Sequence, residues 1–274
     1  FVRILFDDCS TDNSVEIIKE YADKYPHLFK PIYQKENQYS KKISIWQTIQ
    51  FPRAKGKYVA ICEGDDFWTD PYKLQKQVDF LESHPDFSMC CHGADIQNET
   101  QRKVDCKCDK MTTHEYFPDD AFPEWQIPTA SIVYRREAVE KYKIVRSQDF
   151  FAMDVVTILR CMAVGRVWGF AEHMSVYRVN GGGFTRRQED FQSQMQHCKH
   201  YEALMVNFPK INKDFCNRYI AMTYYTKFRK DKKLKQKIQS LWKAFIHKPD
   251  HVLRKMFKIK PKPRKDLFYT YYGV

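Results

Sequence analysis

Acidic residues crowd two short stretches of this sequence, Asp7-Asp8-Cys9-Ser10-Thr11-Asp12 and Glu63-Gly64-Asp65-Asp66. Each follows an apolar run: Val2-Arg3-Ile4-Leu5-Phe6 precedes the first and the stretch from Lys57 to Cys62 precedes the second. Carboxylates placed just after a strand can ligate a hard cation, cap the next helix, or accept hydrogen bonds from sugar hydroxyls. Magnesium and manganese favour oxygen ligands and often take only one or two protein carboxylates, with phosphates and water completing the shell. Asp65 and Asp66 are therefore enough for a metal site beside a diphosphate. Taken alone, such a pair is more often a helix cap, so its surroundings must decide.

The elements that would position these acids follow from periodicity. Val2 to Phe6 reads as a buried strand, and Ile18, Tyr21, Ala22 and Tyr25 recur at helical spacing until Pro26, with Asn13 and Glu16 spaced for a capping box. Pro31 to Gln34 reads as a short strand, Ile43 to Ile49 as a helix, and Lys57 to Cys62 as a strand. Asp70 and Pro71 have the types expected at the N-cap and first position of a helix whose inner face is Leu74, Val78 and Leu81. Further strands are expected at Phe87 to His92, Ser131 to Tyr134, Arg166 to Phe170 and Met174 to Arg178. Phe151, Val155, Ile158, Leu159 and Met162 form a helical stripe closed by Gly165, with Asp154 near its start as a partner for the helix dipole. Gly181-Gly182-Gly183 reads as a mobile loop. Alternating strands and helices imply a mostly parallel sheet whose ligands bind beyond the carboxyl ends of the strands, where both acidic clusters lie.

The ordered succession of Phe6-Asp7-Asp8-Cys9-Ser10-Thr11-Asp12, Ala54-Lys55-Gly56-Lys57-Tyr58-Val59-Ala60, Glu63-Gly64-Asp65-Asp66-Phe67-Trp68 and Tyr177-Arg178-Val179-Asn180-Gly181-Gly182-Gly183 resembles the family 2 glycosyltransferases of the GT-A fold, of the bacterial cell-surface glycan type. The resemblance covers residues 1–190. It implies an α/β architecture with a mixed, mostly parallel sheet flanked by helices, followed at 191–274 by a helical, strongly basic extension. It also implies an inverting enzyme that uses Mn or Mg to move a sugar from a nucleotide-sugar donor, a UDP-sugar, to a saccharide or lipid-linked acceptor. Carried over residue by residue, Asp8 matches the acid that hydrogen-bonds the nucleotide base and Asp65 the acid near ribose and metal. Asp66 matches the metal-ligating carboxylate and Asp154 the general base. The sequence departs from the family pattern at Glu63, where Asp is usual, and at Asn180, where a His commonly helps to hold the metal; both are candidate metal or donor contacts. It also opens on what corresponds to the family's second strand, so a preceding strand, loop and helix are expected upstream.

Composition bounds the alternatives. With 274 residues, 43% hydrophobic and 15% aromatic, the chain can bury a core. No apolar run approaches the roughly 18 residues of a membrane-spanning helix. The nine cysteines lack zinc-clamp spacing, and Cys62, Cys90 and Cys161 sit in apolar runs as small core residues, which points to a reducing, cytoplasmic location. The net charge of +12 comes from the tail, because residues 227–265 hold 16 Lys/Arg against 2 Asp/Glu. There Leu234, Ile238, Leu241, Trp242 and Phe245 keep helical spacing among lysines, which suits either an anionic membrane surface, such as the inner face of the membrane, or a helix packed on the domain with a solvated lysine face. No nucleic acid is expected, since no recognisable nucleic-acid motif accompanies the charge. Trp125, Thr129, Ser131 and Trp168 are candidates for the acceptor side, with core packing the more ordinary role for Trp168. Two other functions fit the same residues: a module of this fold that binds nucleotide or glycan without turnover, and a membrane- or polyanion-binding protein acting through its tail.

Overall fold

The computed structural model describes residues 1–41, 44–100, 107–150, 152–180 and 191–257. Strand β1 (Arg3–Asp7), helix α1 (Ser14–Lys24) and strand β2 (Phe29–Tyr33) form a right-sized crossover unit, and β1 and β2 pair in parallel from Arg3↔Phe29 to Asp7↔Tyr33. A π-helical turn at Trp46–Gln50 runs into the single turn α2 (Phe51–Arg53). The side chains of Gln50 and Arg53 donate to the Ile4 and Leu5 carbonyls of β1, which satisfies backbone that no strand covers there. Then come β3 (Tyr58–Ala60), β4 (Phe67–Trp68), α3 (Lys73–Ser83), β5 (Phe87–Asn98), β6 (His114–Tyr116), α4 (Pro118–Ala121), β7 (Val133–Arg135), α5 (Arg136–Lys141), α6 (Met153–Val164) and β8 (Arg166–Val179). Four helices complete the described chain: α7 (Phe191–Asn207), α8 (Lys213–Lys230), α9 (Leu234–His247) and α10 (Pro249–Met256).

The sheet is mixed and helix-flanked, as expected, but its pairing differs from a mostly parallel one. Six strands run in the order β3-β7-β5-β8-β4, with β6 also on β8. Within them only β5 and β8 pair in parallel, and the remaining contacts are antiparallel. The alternation rule assumes that each crossover helix delivers the next strand beside the last. Here the crossover from β5 to β8 carries β6, β7 and three helices, and β7 inserts antiparallel between β3 and β5.

Several boundaries also differ from the sequence expectation. Arg166–Val179 is one long strand rather than two, because register shifts at His92, Gly93 and Ala94 absorb the polar Ala171-Glu172-His173 stretch as a bulge. Asn13 makes no side-chain cap, so no capping box forms there; Asp12 instead accepts from the Ser14 amide. Helix α3 begins at Lys73, two residues later than expected, with Asp70 accepting from the Tyr72 amide in the preceding turn. Its fully buried face is Lys73, Gln77 and Leu81. The glycine loop at 181–183, the helix start at Ile43, Phe151 and the tail beyond 257 lie outside the described residues.

Helix α6 is apolar almost all round. One side joins Ile158 and Cys161 to the core beneath the sheet, with Met89, Cys91, Ile132 and Tyr134. The other joins Val155, Val156 and Leu159 to a second core built by α7 to α10, which includes Leu204, Phe215, Ile220, Ala244 and Val252. A helix hydrophobic on every face has to be buried on every face, and these two cores do that. Gly165 ends α6 with an extended backbone, φ −166°, and not in a left-handed cap. Its absent side chain is required for close approach instead. A Cβ there would sit 2.8 Å from the Ser88 Cβ and 3.1 Å from the Asp86 carbonyl oxygen, where β5 and β8 start to pair. Gly165→Ala is expected to destabilise the chain by about 1–3 kcal/mol through this overpacking, measured by urea unfolding monitored by circular dichroism; an unchanged midpoint would show that the β5–β8 junction yields.

Candidate active site

The chain from β3 to β4 turns tightly through the acidic residues. The Asp66 amide donates to the Glu63 carbonyl at 3.1 Å, so the four residues Glu63 to Asp66 close a single turn. One hydrogen bond ties this turn to β8, and two more tie β4 and α3 to the neighbouring segment. Asp66 Oδ1 accepts from the Arg178 amide of β8 at 2.9 Å. Trp68 Nε1 donates to the Ala130 carbonyl at 2.8 Å, and Gln77 Nε2 on α3 donates to the Ser131 carbonyl at 2.8 Å. The short helical turn Thr129–Ser131 is thereby locked next to the acids.

Lys73 supports the same assembly from below. It is only 1% exposed, its ammonium donates to Gln77 Oε1 at 2.8 Å, and it stands 4.3 Å over the Trp68 ring. Burial pushes its pKa down to about 8. Sequence reasoning read this helix face as Leu74, Val78 and Leu81 and so missed Lys73 and Gln77. The signal was present, since 73, 77 and 81 keep the four-residue step as well as the apolar set does.

Asp66 is buried, and its Oδ2 has no hydrogen-bond partner among the described residues. Loss of solvent, with the nearby Asp65 adding to it, pushes its pKa up to about 6 against the opposing Arg178 amide bond. An unpartnered buried carboxylate oxygen is costly unless something binds it. A divalent cation fits that need. Asp65 is exposed beside it and accepts from the Asn180 amide group at 3.3 Å. Among the described residues no three His, Cys, Asp or Glu side chains are arranged to hold a metal ion together, and Mg or Mn commonly completes its shell with phosphates and water.

Glu63 bridges this turn to Asp154. Its pKa rises to about 8, first because its carboxyl is hemmed in by protein, then because Asp154, Asp65 and Asp66 lie within electrostatic reach. The residue as a whole keeps an exposed surface, but proton affinity depends on what surrounds the carboxyl and not on the residue's total area. Asp154 sits in the first turn of α6. Its pKa is raised by loss of solvent, against hydrogen bonds from the Val155 amide, its own amide, Trp125 and Thr129. The Thr129 hydroxyl lies 3.5 Å from Asp154 Oδ2 and also bonds Glu63. Trp125 holds a left-handed backbone, φ 48°, at this position.

The remaining sequence candidates divide. Asp8 Oδ1 and Oδ2 accept from the Gln38 and Tyr39 amides at 2.6 and 2.9 Å, so its carboxylate organises the turn after β2 and retains one lone pair on each oxygen. Trp125 and Thr129 do stand at Asp154. Ser131 does not face the site, because its buried hydroxyl donates to the Pro128 carbonyl. Trp168 stacks on Phe80 in the core, centroids 5.8 Å apart. Cys90 and Cys161 are buried as expected, whereas Cys62 is exposed next to the acidic turn, with its thiol toward the Asp66 carbonyl. All eight cysteines among the described residues are free.

Comparison with known proteins adds to this geometry. The profile of Glycosyl transferase family 2 matches residues 3–143. An uncharacterized protein of Mycobacterium tuberculosis is 35% identical over 188 residues, which cover 66% of this chain and 50% of that one. The chain thus spans about half the length of the curated relatives it matches. Among solved structures, Staphylococcus aureus TarS residues 1–349 superposes with a TM-score of 0.56 at 16% identity, covering 92% of this chain and 73% of that one. A mannosyltransferase from Pyrobaculum calidifontis in complex with GDP-Man and Mn2+ superposes with a TM-score of 0.51 at 15% identity, covering 96% and 67%. At these identities the two structures establish the shared GT-A fold.

The raised Glu63 pKa has a measurable consequence in metal-free protein. In the unfolded chain Glu63 titrates near its ordinary 4.5, so between about 4.5 and 8 the folded state binds more protons than the unfolded one. Stability therefore falls as pH rises through that window. Burial pushes His92 and His200 down to about 3, which makes their effect run the opposite way below pH 6.5, and Lys73 acts above about 8. In EDTA, the thermal midpoint is expected to fall from pH 6.5 to 8 more steeply in the wild type than in Glu63→Gln; equal slopes would remove Glu63 from the acidic cluster.

Proposed function

The chain belongs to glycosyl transferase family 2, and we propose that it catalyses an inverting, metal-dependent transfer of a hexosyl or N-acetylhexosaminyl group from a nucleotide-sugar donor, a UDP-sugar, to a glycan or lipid-linked acceptor in polysaccharide assembly. One observation carries this reading: the Thr129–Ser131 turn, held by the Trp68 indole two residues after Asp66, puts the Thr129 hydroxyl 3.5 Å from Asp154 Oδ2, so a candidate metal site and a candidate base adjoin one turn. Asp66, with Asp65 at its side, would hold Mn or Mg, which when bound offsets charge on the departing diphosphate. Asp8 and Asn180 are assigned to the donor side, at the ends of β1 and β8.

Asp154 is assigned to the acceptor hydroxyl. Its carboxylate takes the hydroxyl proton as the oxygen bonds the anomeric carbon and the bond from that carbon to the phosphate oxygen breaks, the electron pair leaving with the diphosphate. One displacement inverts the anomeric centre. The raised proton affinity of Asp154 makes it a better base than an exposed carboxylate. Thr129 and Trp125, bonded to that carboxylate, hold its orientation and place an aromatic face where a sugar ring would lie.

The full chain is assayed for donor hydrolysis and transfer with Mn or Mg present. Asp154→Asn is expected to lower kcat by about 10²–10⁴ while donor binding persists, and Asp66→Ala to abolish the dependence of rate on added metal. Full activity in Asp154→Asn would remove it as the base. Donor binding without turnover in the wild type would instead favour a non-catalytic binding module.

A further inference from the structure

Helix α9 has two apolar faces, and the fold uses one of them. Ser240 and Ala244 are fully buried and Leu241 and Phe245 partly so, which seats the helix on the α7–α10 core. Ser240 bonds Asp231, and Lys243 reaches the Tyr224 hydroxyl of α8, so the helix is fixed in rotation. That setting turns Leu234, Ile238, Trp242 and Ile246 outward. They are 74, 60, 67 and 60% exposed and recur every four residues, so they form one continuous row along the helix. The next helix, α10, adds Leu253, Met256 and Phe257, all exposed, on the same chain segment.

A row of this kind is unlike the single exposed apolar residues that any surface carries. Leaving such a row of Leu, Ile and Trp in water forgoes the gain that burying apolar surface gives. The charge around the row identifies what would cover it. Lys232, Lys233 and Lys235 are exposed beside it, and Arg254 and Lys255 extend the positive field along α10. The occupant must therefore be apolar in the middle and anionic at its rim. A second copy fails on charge, because it would bring two segments with 16 basic and 2 acidic residues each face to face. A nucleic acid would answer the lysines and leave the aliphatic row in water. An acidic phospholipid surface answers both, with acyl chains under Leu234, Ile238 and Ile246, the indole of Trp242 at headgroup depth, and the lysines on phosphates. No helix among the described residues is long and apolar enough to cross a membrane.

A basic hollow near Lys57, Arg135 and Arg136 offers no comparable site, since Lys57 pairs with Glu82, Arg136 with Glu140, and Arg135 donates to the Phe87 and Leu81 carbonyls.

We propose that the outward face of α9, extended by α10, docks the protein onto anionic lipid bilayers. The inference does not rest on the transferase reading, because docking is read without any substrate. The test is flotation of the full chain with vesicles of phosphatidylcholine alone and of a three-to-one mixture of phosphatidylcholine and phosphatidylglycerol. The expected result is flotation with the mixed vesicles at moderate salt and little with the neutral ones. The double variant Ile238→Ser/Trp242→Ser is expected to bind the mixed vesicles at least about tenfold more weakly with an unchanged circular dichroism spectrum and melting temperature, since neither side chain belongs to a core. Lys235→Glu is expected to weaken binding to the mixed vesicles only. Failure of the wild type to float at low salt would overturn the proposal. So would undiminished binding by the double variant, which would leave a purely electrostatic attraction, or a concentration-dependent dimer that the double variant abolishes, which would make the row a self-association face.

Discussion

The burial of carboxylates is the constraint around which the site is built. Loss of solvent raises the proton affinity of Glu63, Asp66 and Asp154, with Asp154, Asp65 and Asp66 adding to it at Glu63 and Asp65 adding to it at Asp66, and no arginine or lysine side chain is hydrogen-bonded to these carboxylates among the described contacts. Like charges held together in partly desolvated surroundings raise one another's proton affinity. The fold answers in two ways. It supplies neutral donors, the Arg178 amide to Asp66 and the Thr129 hydroxyl, Trp125 indole and first-turn amides of α6 to Asp154. It also lets Glu63 take a proton near neutral pH, which lowers the charge of the cluster when nothing else neutralises it. A divalent cation would meet the same need.

Such a cluster persists only if its scaffold is stiffer than the repulsion is strong. Trp68, Gln77 and Lys73 provide that stiffness from the face away from the acids. Each makes a directed contact that crosses between elements: Trp68 to Ala130, Gln77 to both Ser131 and Cys90 carbonyls, Lys73 to Gln77 and the Trp68 ring. A buried lysine is expensive, and its depressed pKa records the cost. The contacts it makes are with the residues that hold the Thr129–Ser131 turn beside the acids, so the cost is spent at the place where position matters most.

The sequence showed the acids and their order but not how they meet. Asp7, Asp8, Asp65 and Asp66 were legible because strand-then-acid patterns are local, and Asp154 because the family resemblance supplied its role. The pairing of Glu63 with Asp154 was not legible. It depends on Thr129, brought in by a crossover more than sixty positions long, and no local pattern encodes that approach. Periodicity found part of the inner face of α3, since Leu81 is in the core and Leu74 packs against it, but missed the polar Lys73 and Gln77 buried on the same helix. Gly165 was misread for the opposite reason. A glycine after a helix usually signals a left-handed cap, and here it marks a place where two strands come too close for a Cβ. In the tail the spacing of Leu234, Ile238, Leu241, Trp242 and Phe245 was legible as one amphipathic face, but the fold divides it: Leu241 and Phe245 turn inward and the others outward.

Helix α6 links that division to the chemistry. Its first turn carries Asp154, its inner side enters the core under the sheet, and its outer side enters the core made with α7 to α10. Ala244 of α9 and Val252 of α10 belong to this second core together with Val155 and Val156, the two residues that follow Asp154. The segment bearing the exposed apolar row is thus packed, through one continuous hydrophobic cluster, on the helix that carries Asp154, the proposed base. Close-packed interiors deform little, so a surface that holds α9 also fixes the orientation of Asp154 relative to that surface. For an enzyme whose acceptor is itself lipid-linked, a fixed orientation would place the base at a constant height above the headgroups and limit which acceptor hydroxyl reaches it. Acceptor selection would then depend in part on how the protein sits on its membrane, and not on the residues around Asp154 alone.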